Sequence, residues 1–177
     1  LDPLELIGDF DRPNLTYRVV PRVDAKQQIL EAVRRHASQA VIVYCITRRD
    51  TEHLAAVLQA ANIRAVCYHA GLEPEERRTR QERFAREELD VVVATVAFGM
   101  GIDRSDVRCV IHAAMPKSIE HYQQETGRAG RDGLEAECVL FYSPADTLRW
   151  EALIRKSAAE ADRPPEVIAA GLELLGH

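Results

Sequence analysis

The 177 residues, 46% of them hydrophobic and 29% charged, suit one packed core and are too few for a typical two-domain enzyme. No stretch approaches the roughly 18 consecutive apolar residues of a membrane span, and the amino terminus has no basic region followed by an apolar one, so we expect a cytoplasmic protein without a membrane partner. The net charge of −5 argues against a general DNA-coating protein, although amides, hydroxyls and arginines can still bind phosphates locally.

Short β-branched apolar runs alternate with polar stretches of helical length along the chain. This alternation predicts an α/β fold with a mostly parallel sheet covered by helices on both faces. The predicted elements, in chain order, are helix 24–37, strand 41–45, helix 51–61, strand 63–68, helix 73–88, strands 91–95, 107–112 and 136–142, a helix from Pro144, and a short helix from Val167. Mixed charges on helix 73–88 predict a solvated face rather than a DNA-binding stripe.

The predicted domain covers residues 16–157. Residues 1–15 lead into it, and residues 158–177 are predicted to be a linker and the start of a following helical segment, because small and charged residues precede Pro164 and Pro165. The four cysteines are far apart, form no C-x-x-C pair and lie in or beside apolar runs, so we expect buried free thiols and no metal site. These cysteines are Cys45, Cys67, Cys109 and Cys138.

Ligands of parallel sheets gather beyond the carboxyl ends of the strands, so the residues after each apolar run are the candidates for a site. Thr47 and Arg48 follow the first predicted strand, and a hydroxyl beside a guanidinium suits a phosphate. Ordinary helix capping with exposed arginines is the alternative there. His69 follows the second strand, and a lone histidine beside a glycine turn is more often structural than catalytic.

The loop after the third predicted strand contains two glycines, Gly99 and Gly101, around one residue. They permit a tight turn and the close approach of a ligand, while Thr95 and Asp103 supply a hydroxyl and a carboxylate at the two ends of the loop. A plain β-loop-β turn remains the alternative.

Segment 123–133 contains the most informative group of residues. Arg128 and Arg131 are three residues apart among glycines, and they would project from nearly one face if the segment is helical. Because arginine stays charged and can bind two phosphate oxygens, the pair fits the charge on a transferred γ-phosphoryl group. The alternative is a surface turn with solvated arginines. The sequence has no G-x-x-x-x-G-K-[ST] loop and no acidic box after a strand, so we expect the nucleotide to sit mainly on another lobe.

From Phe10 to Asp146, the chain resembles the second RecA-like lobe of RecQ-type DNA helicases in superfamily 2. The most specific parts are Tyr68-His69-Ala70-Gly71-Leu72, residues 94–103 and residues 124–133. The superfamily pattern Q-x-x-G-R-x-x-R is met by Gln124, Gly127, Arg128 and Arg131. The family usually has a polar residue where Ile46 stands.

The resemblance implies ATP-dependent unwinding of DNA with 3′-to-5′ polarity, with ATP and Mg²⁺ bound in a cleft between two lobes. Arg128, Arg131 and Gln124 would act on the γ-phosphate. The other residues implied in nucleotide binding are Gly99, Gly101, Asp103 and Gly127. The residues implied in holding single-stranded DNA are Thr47, Arg48, His69, Gly71 and Thr95.

The implied partners are duplex and single-stranded DNA and a first RecA-like lobe, which we expect to precede Leu1 in the same polypeptide. We therefore expect this chain alone to be monomeric and unable to turn over ATP, and its parent to work in the bacterial cytoplasm or nucleoid. The alternatives are a lobe of a superfamily 2 RNA helicase, and a non-catalytic, free-standing RecA-like binding module. A flavodoxin-like protein fits less well, because no phosphate loop follows the first strand.

Overall fold

The computed structural model describes residues 12–99 and 104–160, which form an α/β unit built on a six-stranded sheet. The strands are β1 (Leu15–Pro21), β2 (Ala40–Tyr44), β3 (Ala65–Tyr68), β4 (Val91–Ala94), β5 (Val107–His112) and β6 (Ala136–Tyr142). The helices are α1 (Ala25–Arg35), α2 (Arg48–Ala60), α3 (Pro74–Ala85), α4 (Ile119–Thr126) and α5 (Ala145–Glu160). The strand order is β1-β6-β5-β2-β4-β3, and every adjacent pair is parallel.

Two apolar layers enclose the central strands, because alternate residues of a strand point to opposite faces. Val41 and Val43 of β2 pack with helices α1 and α2, while Ile42 and Tyr44 face the layer that contains Phe84 of α3. All five residues of β2 are buried. The sheet with helices on both faces, predicted from the alternation of apolar and polar stretches, is therefore confirmed.

Strand β1 was not predicted from the sequence. It lies at the edge of the sheet, pairs only with β6 among the described strands, and leaves most of its residues exposed. An edge strand of this kind lacks the continuous apolar run that identifies a buried strand. Leu15, its first residue, is buried in the core, so the sheet begins at the end of segment 1–15, which was predicted only to lead into the domain.

Besides differences of up to three residues at the ends of α1 and α3, the predicted start of α2 and the predicted end of α5 were wrong. Helix α2 begins at Arg48 rather than Thr51, because the Thr47 side chain caps it by accepting a hydrogen bond from the Asp50 N–H at 3.1 Å. Helix α5 continues to Glu160, past the start of the linker predicted at residue 158. The rest of the predicted linker and the helix from Val167 lie outside the described residues.

The charged surface of α3 was predicted correctly. Phe84 is its one buried residue, and three of its arginines pair with glutamates: Arg78 with Glu75, Arg80 with Glu76, and Arg83 with Glu88. All four cysteines are free thiols, and three of them are buried; Cys67 is half-buried. Within the described ranges, no helix combines the length and apolar character required to cross a membrane.

Candidate functional site

The loops that follow β2, β3 and β4 meet at the carboxyl edge of the sheet. These strands are neighbours, and their ends are joined by main-chain hydrogen bonds: the Cys45 N–H donates to Ala94 O at 2.7 Å, and the Thr95 N–H donates to Tyr68 O at 3.1 Å. Residues that are far apart in sequence are thereby placed side by side, as expected for a ligand-binding edge of a parallel sheet.

At this edge, Arg48 lies across Gly71. A β-carbon added to Gly71 would be 2.8 Å from Arg48 Nη1 and 3.2 Å from Arg48 Cδ, so the arginine occupies the space that a larger residue would need. The Arg48 side chain is exposed, and it forms no ion pair within the described part of the chain. Thr47, one residue earlier, uses its hydroxyl as the cap of α2. The structure thus brings together the predicted residues of the β2 and β3 loops.

His69 and Thr95 are less accessible candidates. The His69 side chain is 3% exposed, and its Nε2 lies 3.0 Å from a carboxylate oxygen of Glu52, without the alignment of a hydrogen bond. Direct contact between DNA and the His69 ring would therefore require the Glu52 side chain to move. Thr95 is half-buried, and its hydroxyl is 3.5 Å from the Ala97 N–H.

Arg128 reaches the loop after β4. Its Nη1 donates a 2.6 Å hydrogen bond to Gly99 O, and a β-carbon on Gly99 would overlap Nη2 and lie 3.1 Å from Cζ. Helix α4 ends at Thr126 with Gly127 as its cap, so both arginines lie in the turns beyond it. The segment is not helical at either arginine, so the condition under which they would share one face is not met: Arg128 is half-buried against Gly99, whereas Arg131 is exposed, with its Nε 3.3 Å from Gly127 O.

Of the three remaining predicted site residues, the structure describes one. Gln124 is exposed on the last turn of α4. Gly101 and Asp103 lie outside the described residues. Arg104, the next residue, is buried; it donates hydrogen bonds to Phe84 O at 2.8 Å and Leu89 O at 3.0 Å, and so anchors the end of that loop to the core.

Sequence reasoning missed the residues that shape the turns after α4. Arg12 Nη2 donates to Ala129 O at 2.7 Å and Gly130 O at 2.9 Å, and Asn14 Nδ2 donates to Gly130 O at 2.9 Å and Leu134 O at 2.8 Å. Gly130 has a φ of +54°, a conformation that favours glycine. Side-chain donors just before β1 thus fix the chain between Arg128 and Arg131. The Arg-Pro-Asn run before a strand was the available signal, but it does not indicate which carbonyls are bound.

A buried pair of hydrogen-bonded side chains beneath the site was also missed. His112, the last residue of β5, is 1% exposed, and its Nε2 is 2.8 Å from Glu125 Oε2 of α4. Its ring stacks on that of Tyr44, with centroids 5.4 Å apart and an interplanar angle of 25°. This pair ties the helix that leads into Arg128 to the centre of the sheet.

One cluster among the described residues has the spacing of metal ligands. It comprises His36, Cys109 and Glu137. Glu137 already forms an ion pair with Arg18 at 2.6 Å and contacts His36 at 2.9 Å. Burial alone would raise the pKa of its carboxyl group, but His36, Arg35 and Arg18 together lower it. Since cationic side chains already neutralise this carboxylate, the cluster fits a structural ion-pair network better than a metal site. Cys109 belongs to the apolar layer of α1 and α2, whereas Ala129, next to Arg128, belongs to the other layer, so the cluster lies on the opposite face of the sheet from Arg128.

Comparison with known proteins gives a consistent set of similarities. The family profile described as "Helicase conserved C-terminal domain" matches residues 24–133. The ATP-dependent DNA helicase RecQ of Pasteurella multocida (strain Pm70) is 49% identical over 177 residues, which are 99% of this chain and 27% of that protein. The protein of the same name from Bacillus subtilis (strain 168) is 47% identical over 151 residues, covering 85% of this chain and 26% of that protein. The chain thus spans about a quarter of the length of these curated relatives.

A solved structure supports the fold. The crystal structure of a DEAD box protein from the hyperthermophile Methanococcus jannaschii superposes with a TM-score of 0.66 at 24% identity, over 82% of this chain and 40% of that chain. At this level of identity, the similarity bears on the α/β architecture alone.

Proposed function

Since this chain belongs to the helicase conserved C-terminal domain family, among the RecQ-type members of superfamily 2, we propose that it is the second motor lobe of an ATP-dependent DNA helicase. In this proposal the parent protein moves 3′ to 5′ along one DNA strand. A first lobe of the same polypeptide holds the nucleotide, and residues 16–157 form the second lobe, which completes the nucleotide site.

The observation that carries the proposal is the state of three arginines, one in the loop after β2 and two in the turns after α4. Arg48, Arg128 and Arg131 form no ion pair with any described carboxylate, as is also true of exposed Arg49, whereas Arg149 nearby pairs with Asp50. A guanidinium group without an acidic partner retains its capacity to bind phosphate oxygens, two at a time. The two segments therefore offer separate positions for a nucleotide and for a nucleic-acid backbone.

The nucleotide would lie between the turns after α4 and the first lobe. Arg128 and Arg131 would bind γ-phosphate oxygens and stabilise the charge of the transition state, with Gln124 beside them and the loops at Gly99, Gly101, Asp103 and Gly127 around the nucleotide. Mg²⁺ would be held by the first lobe. Two of the described carboxylates in this region already have partners: Asp50 pairs with Arg149, and Glu125 lies against His112.

DNA would bind beside the nucleotide, along the loops after β2, β3 and β4. Arg48 would hold a backbone phosphate above Gly71, with Thr47 and Thr95 as hydroxyl partners and His69 lining the same groove. Such contacts do not read sequence, which suits a motor that must move along any strand. ATP would draw the two lobes together through Arg128 and Arg131, and hydrolysis would release them.

The test is Arg131→Ala in the full-length enzyme. We expect DNA-stimulated ATP turnover to fall by about 10³-fold, the usual effect of losing an arginine finger, while the affinity for single-stranded DNA stays within about threefold of wild type. Arg34→Ala is the matched control, because Arg34 is an exposed arginine in the last turn of α1. Unchanged turnover in Arg131→Ala would refute the assignment, as would ATP hydrolysis by the 177-residue chain alone at the rate of the full-length enzyme.

A further inference from the structure

Tyr44 lies directly behind the loop that holds Arg128. It is the last residue of β2, its side chain is 4% exposed, and its hydroxyl donates a 3.1 Å hydrogen bond to Phe98 O. The next carbonyl along the chain, Gly99 O, accepts the hydrogen bond from Arg128. One phenol and one guanidinium therefore hold two consecutive carbonyls of the same loop.

The positive charge of Arg128 also acts on the Tyr44 hydroxyl. Burial raises the pKa of Tyr44 above its ordinary value, and the charge of Arg128 opposes this rise. The two side chains share no direct hydrogen bond; they are linked through the two neighbouring carbonyls, Phe98 O and Gly99 O. Loss of the hydroxyl would free Phe98 O and so loosen the loop that holds the guanidinium.

The Tyr44 ring is in turn fixed by the helix that leads into Arg128. It stacks on His112, and His112 Nε2 is 2.8 Å from Glu125 of α4. The Glu125 carbonyl accepts a 3.2 Å hydrogen bond from the Arg128 N–H. The main chain and the side chain of Arg128 are therefore both linked, through these residues, to the end of β2.

We propose that Tyr44 is a positioning residue for ATP hydrolysis, whose hydroxyl sets the direction of the Arg128 guanidinium at the edge of the cleft. This inference rests on the proposed function. When the γ-phosphate arrives, its oxygens replace Gly99 O as the partner of Arg128, while the phenol keeps its hydrogen bond to Phe98 O and holds in place the loop against which the Arg128 side chain lies. A charged group that is oriented in advance stabilises a transition state without being reorganised during the reaction.

Tyr44→Phe in the full-length enzyme tests this role, because it removes one oxygen and keeps the buried ring. We expect kcat for DNA-stimulated ATP hydrolysis to fall about tenfold, with KM for ATP and the affinity for single-stranded DNA within about threefold of wild type. Tyr122→Phe is the control: the Tyr122 ring also contacts His112, at 4.9 Å between centroids, but its hydroxyl has no hydrogen bond among the described residues. It should retain wild-type kcat.

The double variant of Tyr44→Phe with Arg128→Ala separates positioning from general loss of structure. If Tyr44 acts through Arg128, the double variant will be as slow as Arg128→Ala alone, because the hydroxyl then has nothing to position. Three outcomes would each overturn the inference while leaving the proposed function intact. They are an unchanged kcat in Tyr44→Phe, an equal loss of kcat in Tyr122→Phe, and a double variant in which the two single losses of kcat multiply. A normal kcat in Arg128→Ala would instead overturn the proposed role of Arg128, and the inference with it. Thermal unfolding of each variant will show whether a loss of kcat arises from unfolding, and in that case Arg128→Lys will replace Arg128→Ala in the cycle.

Discussion

Gly99→Ala is expected to move a single side chain in the site. Among the described glycines, only Gly130 and Gly133 have a positive φ, so the backbone at Gly99 accepts alanine without conformational strain. The added β-carbon would overlap Arg128 Nη2, and ordinary carbon contact distances require the guanidinium to withdraw by about 1 Å. A shift of that size breaks the 2.6 Å hydrogen bond from Arg128 to Gly99 O.

We expect Gly99→Ala to lower the rate of ATP hydrolysis more than the stability of the fold. The lost hydrogen bond belongs to a half-buried side chain that water can reach, so we expect a loss of about 1 kcal/mol in the free energy of unfolding. A misplacement of about 1 Å in a group that acts on the transition state can cost about 10²-fold in rate. We therefore predict that kcat for DNA-stimulated ATP hydrolysis by the full-length Gly99→Ala enzyme falls roughly 10- to 100-fold.

Gly71→Ala is the matched counterpart, since its β-carbon would displace Arg48 in the same way. If the two arginines have separate tasks, Gly71→Ala will weaken binding of single-stranded DNA and keep kcat at saturating DNA, while Gly99→Ala will do the reverse. The assays are steady-state ATP hydrolysis across DNA concentrations and fluorescence anisotropy with a labelled oligonucleotide. Equal effects of both variants on both quantities would refute this division of tasks.

Two further predictions concern the rest of the structure. Glu137→Gln should lower the free energy of unfolding at neutral pH by about 1–3 kcal/mol. The difference from wild type should shrink as the pH falls through the lowered pKa of Glu137, because a carboxylate with a depressed pKa stabilises the fold only while it is ionised. Urea unfolding of both proteins at neutral and acidic pH measures this difference, and a difference that does not change with pH would contradict the prediction. Burial raises the pKa of Cys45 and of Cys138 to about 12. At pH 8 a thiol reagent should therefore react readily with half-buried Cys67, and with the other thiols only after unfolding. Fast labelling of two or more thiols in the native chain would contradict this prediction.

The buried half of the fold could be predicted from the sequence, and the exposed edge could not. Strands β2, β4 and β5 are covered on both faces, so their apolar runs carry the signal directly. Strand β1 has one buried residue in seven, and its partner β6 is more than a hundred residues away, so nothing local identifies it. The start of α2 was misplaced for a related reason: Thr47 and Asp50 are both good caps, and only the structure shows which one accepts the hydrogen bond.

The arginines of the candidate site could be identified from residue types and spacing, but their partners could not. Arg128 and Gly99 are 29 positions apart, and Arg48 and Gly71 are 23 apart; each pair is formed by the order of strands in the sheet rather than by the local chain. The same holds for Asn14, which reaches Gly130 across the β1–β6 pair.

The group that an arginine binds in this structure affects how readily the arginine can exchange it for another acceptor. Arg22 is paired with the fully buried Asp146, and removing an arginine from such a pair leaves an uncompensated charge at a cost of about 3–5 kcal/mol. Arg128 instead donates to a main-chain carbonyl, a neutral acceptor worth about 1–3 kcal/mol, and a phosphate oxygen is a stronger acceptor for the same N–H group. An arginine that must bind and release a γ-phosphate in every cycle needs a resting partner of the weaker kind. A carbonyl at Gly99, with the space that only glycine leaves, meets that requirement, whereas an acidic residue there would hold Arg128 away from the nucleotide.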